Sequence, residues 1–576
     1  MILLPNTDKR FIQNNQTNVL GNIWSSFNLD LSSNLGRLKI SPRVIISTQQ
    51  SGVSTISTAP CAFKRFGTNF YTIAGARIHT APNSSAITAD WSADTNTPTN
   101  CDVTLSDLEL FNSSIYATTA TTLNKGAATW AANGTSLNTV TTHMMTVYDD
   151  RLYITDLGYK IYSMNTSDVI ATSGANTFSF TNTTSSTLTF IRAASDRIWF
   201  GTVSATNSKG YVYDWDGIST TANKVYRMQA QGALACVIKD DIPWIMDSNG
   251  RLLVWNGATF VEKDRLPLFH GQFLKNASAT LVNNRFIHPN GMSIIDGRIN
   301  ILINNVIDDS GATINENLPS GIWEYDESIG LYHKQSFSLQ DDDTAVGTIT
   351  DYSQNRLSTV GALADMKNND AAGTNGTFFV GATIYTNASS TQAAVFLDDT
   401  NDTIQKSGYF VTTWIDSQNV QDIWQKLLVT YKEQLNSTDK IILKYRTTEA
   451  DPTYISITWV DTDTFTTATD VTGKEGYEVE IIQGTGSGKT AHITSITGTY
   501  TVNLDDTFTG VTTGTAKARL QAWTKLGEIT TQTQEWSQFP IGTKSPRIQL
   551  KCCIISTGKN EIHRLALINS PHQLAQ

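Results

Sequence analysis

The sequence predicts an all-β protein: a β-propeller of roughly seven blades, then a jelly-roll-like β-sandwich carrying a small inserted β-barrel. Three observations lead there. A short phrase of polar turn plus apolar, β-branched strand recurs from Asn69 to Arg356. Only 16% of residues are charged, and Thr, Ser, Asn and Gly fill the balance, which favours strands and turns over helices. From about Gly408 the runs lengthen and the repeat stops.

The phrase is clearest between Val147 and Trp255, as Asp150-Arg151-Leu152-Tyr153-Ile154, Asp196-Arg197-Ile198-Trp199-Phe200 and Asp240-Asp241-Ile242-Pro243-Trp244-Ile245. Each is followed by a Gly-containing turn and a second run, the signature of a β-hairpin. The same position falls at 69, 114, 151, 197, 242, 298 and 356, at intervals of 45, 37, 46, 45, 56 and 58 residues. A four-stranded blade needs roughly 40 to 50 residues. Residues 56–405 are therefore assigned to the propeller, with long polar loops expected at Thr118–Asn138 and Thr166–Thr187.

Residues 1–55 precede the first blade and read as a patterned arm. Ile23-Trp24 through Leu31 alternates, Asn34-Leu35-Gly36 turns, and Arg37 to Ile46 returns, so a hairpin is expected. Lys9, Arg10, Arg37, Lys39 and Arg43 against Asp8 and Asp30 give the arm a net charge of +3 within a chain of −10. Lys9, Arg10, Trp24, Phe27, Arg37, Lys39 and Arg43 are accordingly the candidate docking residues. The alternative is that the arm completes the propeller or covers its rim.

Beyond the propeller, Tyr409-Phe410-Val411, Lys426 to Tyr431 and Lys440 to Arg446 read as strands, the last two as a hairpin joined through Asn436 to Asp439. The spacing of Trp424, Leu427, Leu428, Tyr431 and Leu435 would also suit a helix face, but the neighbouring runs are β. With the strands at Ala522 to Leu526, Arg547 to Ile555 and Glu561 to Ile568, residues 406–472 and 519–576 form the sandwich, and 473–518 the inserted barrel.

Signals of chemistry are weak. Gln483-Gly484-Thr485-Gly486-Ser487-Gly488-Lys489-Thr490 resembles a phosphate-binding loop, yet its first position is Gln483 and the next segment is β-branched, so a chemically inert hairpin turn is expected. Asp247-Ser248-Asn249-Gly250 lacks the order of a sialidase turn, and the repeat-equivalent Arg151 and Arg197 suggest blade roles. Asp308, Asp309, Asn315 and Glu316, like Asp341-Asp342-Asp343, lack the spacing of a calcium loop. The five cysteines and eight histidines, among them His270, His288 and His563, form no metal or nucleophile motif. Neither enzyme activity nor a cofactor is expected. The pI near 5.3 argues against a grip on nucleic acid, and no apolar run reaches the roughly 18 residues of a membrane span.

A polar, Thr- and Asn-rich all-β chain of this kind resembles virion structural proteins of tailed bacteriophages. More narrowly, Asn28-Leu29-Asp30-Leu31-Ser32-Ser33-Asn34-Leu35-Gly36-Arg37-Leu38-Lys39-Ile40-Ser41-Pro42-Arg43, leading into blades and ending in a sandwich, resembles the nozzle or hub proteins that close short-tailed phage tails. The resemblance implies a ring, commonly of six copies, around the DNA exit channel. It implies neighbours among tail and portal-adaptor proteins and fibres, DNA passing without sequence-specific contact, and a place in the virion tail after folding in the host cytoplasm. The alternative is an adsorption protein binding host glycan through the sandwich or the inserted domain.

Overall fold

The computed structural model describes residues 2–4, 12–13, 22–31, 39–41, 44–46, 56–75, 77–82, 91–93, 107–119, 121–126, 130–138, 143–156, 159–180, 186–204, 209–266, 287–304, 320–327, 329–337, 357–365, 378–385, 391–398, 406–417, 423–431, 440–448, 453–486, 489–508, 510–530, 536–556 and 562–570. All regular elements among them are strands.

Seven antiparallel sheets form the propeller. Blades one to six each take four or five consecutive strands, beginning at Ala62–Phe66, Leu108–Phe111, Met145–Tyr148, Ser186–Ala193, Ala233–Lys239 and Met292–Ile295. Blade seven holds Leu357–Asp365, Phe378–Tyr385 and Thr391–Asp398, and its outermost strand is Val44–Ile46 from the N-terminal arm. Each innermost strand touches the next, and that of blade seven touches that of blade one, so the ring closes.

The recurring phrase is the second strand of blades one to six: Asn69–Ala74, Ser114–Thr118, Arg151–Asp156, Ile198–Ser204, Ile242–Asp247 and Arg298–Ile303. Its polar lead is a backbone requirement. Asn112-Ser113, Asp149-Asp150, Asp240-Asp241 and Asp296-Gly297 all have positive φ at both positions, as a two-residue turn matched to strand twist demands. At blade seven the mark at Arg356 falls beside the first strand, not the second, which is Phe378–Tyr385. The stretches read as loops at Thr118–Asn138 and Thr166–Thr187 contain Thr122–Gly126, Ala131–Ser136, Ile170–Ala171 and Phe178–Ser179. These lie toward the outside of their blades, where one face meets water and Thr or Asn replaces the apolar residue. Replacing Asp149-Asp150, both exposed, by Asn-Gly is expected to raise stability by about 0.5–1 kcal/mol in urea unfolding, because Gly takes positive φ without strain.

The sandwich is built from both chain ends. One sheet orders Ile2–Leu4, Ile562–Ser570, Ile423–Tyr431 and Trp536–Lys544. The other orders Ile12–Gln13, Asn22–Phe27, Lys406–Thr412, Arg547–Ser556, Lys440–Arg446 and Thr524–Ile529, with Ile415–Asp416 paired to Arg547–Ser556. The propeller is thus an insertion between Asn22–Phe27 and Lys406–Thr412, which pair directly. Ile423–Tyr431 is a strand, but it and Lys440–Arg446 lie in opposite sheets and form no hairpin. Both alternate in burial and each serves the shared core, so neither pattern distinguishes a hairpin partner from one across the sandwich. The expected arm hairpin exists as Leu29–Asp30 with Lys39–Ile40, and Leu29, Leu31 and Ile40 are buried in the sandwich core beside Phe410, Trp424 and Leu443.

Six strands close the inserted barrel: Thr453–Trp459, Thr464–Thr467, Thr501–Leu504, Thr490–Thr497, Glu478–Gly484 and Gly514–Gln521. It therefore runs 453–521 and not 473–518. Thr453–Trp459 and Thr464–Thr467 look like sandwich strands in sequence, but their Ile457, Trp459 and Phe465 pack into the barrel core.

Candidate functional site

Ligands of propellers and barrels favour concave places along the axis, and a cavity of about 340 Å³ lies there, lined by inner-strand residues including Lys64, Glu109, Thr146, Arg192, Ser293 and Asp365. Against it runs a polar network with a member from every blade. Arg192 of blade four donates through Nε to the Cys236 carbonyl of blade five (3.2 Å) and through Nη2 to Asn290 Oδ1 before blade six (2.5 Å). Asn290 Nδ2 donates to the Cys61 carbonyl of blade one (3.0 Å) and to Asp107 Oδ1 of blade two (3.0 Å). Asp107 Oδ2 accepts from the Met145 amide of blade three (2.9 Å), and the Asn290 carbonyl accepts from the Leu363 amide of blade seven (2.8 Å). Burial pushes the Asp107 carboxyl up to about 6 against the pull of Arg192.

The network therefore walls this cavity with the protein's own side chains, Arg192, Asn290 and Asp107, hydrogen-bonded to one another. Asn290→Ala strips Arg192 and Asp107 of their shared partner. Since hydrogen bonds to charged groups contribute about 1.5–3 kcal/mol, a loss of about 3 kcal/mol is expected in urea unfolding, with an unchanged m-value.

The second concentration of charge joins barrel to sandwich. Glu478 of the barrel, 1% exposed, accepts from Lys444 Nζ (2.9 Å) and Lys551 Nζ (3.0 and 3.1 Å), both on the outer face of the larger sandwich sheet. Burial alone would raise its carboxyl, but the two ammonium groups, with His492 nearby, hold it well below the usual range. Along the same face cations alternate with rings. Arg547 lies 4.2 Å and Arg446 5.4 Å from the Trp414 ring, Arg446 also 4.5 Å from Trp523, and Lys551 5.8 Å from Trp523 and 5.0 Å from Tyr409. Tyr409 stacks on Phe27 at 5.6 Å, and Phe27 on His333 of blade six at 5.0 Å.

Of the proposed docking residues, Phe27 thus faces inward contacts. Trp24 and Lys39 lie on strands whose side chains there are outside the described residues, as are Lys9, Arg10, Arg37 and Arg43 altogether. The acidic segments 308–316 and 341–343, with His270, also lie outside them; His288 is buried beside the axis, its Nδ1 accepting from the Asn290 amide (3.0 Å). The Gly484–Thr490 segment joins two antiparallel barrel strands, and Lys489 Nζ sits 6.0 Å over Phe508. Arg197 is committed to Asp196 and Asp214, and Asp247 binds Arg251 Nε (2.8 Å), so both serve their own blades. Sequence reasoning missed Arg192, Asn290 and Asp107. The Pro289-Asn290-Gly291 turn was visible, but its partners 98, 183 and 229 residues away were not.

Neither a family model nor a curated protein matches the chain. Among solved structures, the chain is similar to the computationally designed Ika8 protein at 13% identity, covering 62% of this chain and 99% of that one, with a TM-score of 0.35. It is similar at 11% identity to the extracellular domain of BT4673 from B. thetaiotaomicron, covering 80% of this chain and 48% of that one, with a TM-score of 0.38. With BBS1N, solved in complex with ARL6DN, it shares 8% identity over 63% of this chain and 99% of that one, at a TM-score of 0.37.

Proposed function

We propose that the chain is a structural subunit that assembles with copies of itself into a ring, in the manner of the phage tail nozzle and hub proteins its sequence resembles. The observation that carries this reading is the axial network: every blade is tied to a shared hub of hydrogen bonds beside the axial cavity. Such a propeller is a rigid wall, and DNA passing such a ring would run between subunits, not through any one of them. Its net charge of −10 disfavours holding on to DNA phosphates. Fibres and tail or portal-adaptor proteins would then meet its outer loops and sandwich.

One observation favours the second reading, adhesion to a neutral glycan through the barrel. Thr515, Thr458, Thr466, Thr501 and Thr497 stand in one register across five neighbouring strands, and Tyr454 and Tyr500 are about half exposed. Hydroxyls with nearby rings suit sugars. Electron microscopy of the purified chain separates the readings. Closed rings with a DNA-wide lumen are expected; single particles at every concentration, retained on a host-polysaccharide column, would support the second reading instead.

A further inference from the structure

We propose that His333 is the pin of an acid-released latch between the sandwich and the propeller. The N-terminal arm crosses from one to the other at Ser26-Phe27-Asn28, and its described hydrogen bonds to the propeller there converge on the edge strand of blade six, Gly330–Gln335, and the residue after it. The His333 amide donates to Ser26 Oγ (3.2 Å), the Asn28 amide donates to His333 Nδ1 (2.9 Å), and the Ser336 amide donates to Asn28 Oδ1 (3.2 Å). Three residues before the strand Val44–Ile46, the Ser41 amide donates to the Asn28 carbonyl (3.2 Å), and the Val44 amide itself donates to the Ser336 carbonyl (3.2 Å). Asn28 holds positive φ (54°), so the crossing is a single kink set against the ring.

The imidazole is fully buried and both of its nitrogens are in use. Nδ1 accepts from a backbone amide, so the proton sits on Nε2, which donates to the Ser320 carbonyl at 2.9 Å. A second proton would turn Nδ1 into a donor facing the Asn28 N–H, with no room to turn: Phe27 stacks on one face and Trp323 meets the ring edge-on at 5.5 Å. The titratable groups around it are committed elsewhere. Glu324 of the neighbouring strand takes Lys334 and the Tyr332 hydroxyl (2.6 Å). On the sandwich side, Tyr409 stands behind Phe27, its hydroxyl held protonated by burial, with Lys551 beyond it bound to Glu478. From the arm the contacting Ser26 and Asn28 are uncharged, and Asp30 next along is buried.

Burial lowers the ring's affinity for a proton, from 6.5 to about 4. A depressed histidine favours the closed state fully above 6.5, and this advantage fades as pH falls toward 4. The latch-opening constant is accordingly expected to rise by about 80-fold between pH 6.5 and 4, toward a limit, relative to high pH, of about 300-fold below pH 4. Opening would free the arm's crossing and let the sandwich swing relative to the propeller.

Hydrogen exchange on the full chain at pH 7, 5.5 and 4.5, corrected for the intrinsic chemical rate, tests this. The amides of Asn28 and Ser336 are expected to lose protection on acidification while those of Asn69–Ala74 in blade one keep theirs. His333→Gln, which offers an acceptor but does not titrate, is expected to remove the slope. A flat wild-type profile, a uniform loss across all blades, or the wild-type slope persisting in H333Q would each overturn the proposal. The wild-type comparison decides alone if H333Q does not fold.

Discussion

A chain lacking residues 2–46 is expected not to fold. The deletion removes Ile2–Leu4, Ile12–Gln13 and Asn22–Phe27 from the sandwich and the outer strand from blade seven. Leu29, Leu31, Ile40 and Val44, at most 3% exposed, leave the cores with them. Side chains of this size contribute about 1.5–3 kcal/mol each when buried, so the four together approach the whole stability of a typical domain, about 5–15 kcal/mol. Lys406–Thr412 would become an open edge, which promotes aggregation. Insoluble expression, without a cooperative melt in circular dichroism, is the expected readout; a soluble protein melting like the parent would refute it.

Glu478→Gln is expected to cost about 3–5 kcal/mol, the usual penalty for leaving buried charge uncompensated. The amide cannot balance Lys444 and Lys551, which are 2% and 7% exposed. The damage should begin at the barrel–sandwich joint, where Lys551 also packs between Trp523 and Tyr409. Replacing all three by apolar residues of similar volume, as Glu478→Leu, Lys444→Leu and Lys551→Met, is expected to restore most of the loss, since an ion cluster pays heavy desolvation. Urea unfolding of both variants checks this pair. Equal destabilisation by the single and triple changes would show that these side chains act through shape and not charge.

The blades were legible because their signal is local. A two-residue turn with both φ values positive forces Asp, Asn or Gly into fixed positions, and the strand after it is buried on both faces, so Asp149-Asp150 and Asp240-Asp241 announce themselves. Blade seven slipped by one strand because the mark was set at Asn355-Arg356 although Asn375-Gly376 stands just ahead of Phe378–Tyr385, and its fourth strand lies more than 300 residues upstream. The arm's alternation at Leu29 and Leu31 showed that it must be buried but not where, since the burying partners, Phe410 and Trp424, come almost 400 residues later. For the same reason Thr453–Trp459 was given to the wrong module: an alternating strand does not say whose core it enters. The axial hub was invisible because Arg192, Asn290 and Asp107 become neighbours only when the ring closes.

That the N-terminal segment welds the propeller to the sandwich is most directly tested by native-state hydrogen exchange at pH 7. Amides of Asn22–Phe27 and Val44–Ile46 are expected to exchange only through global opening, with the same protection as Arg547–Ser556 in the sandwich centre. Exchange of those N-terminal amides within seconds, while Arg547–Ser556 and the blades stay protected, would contradict it and return residues 1–55 to the role of a free arm.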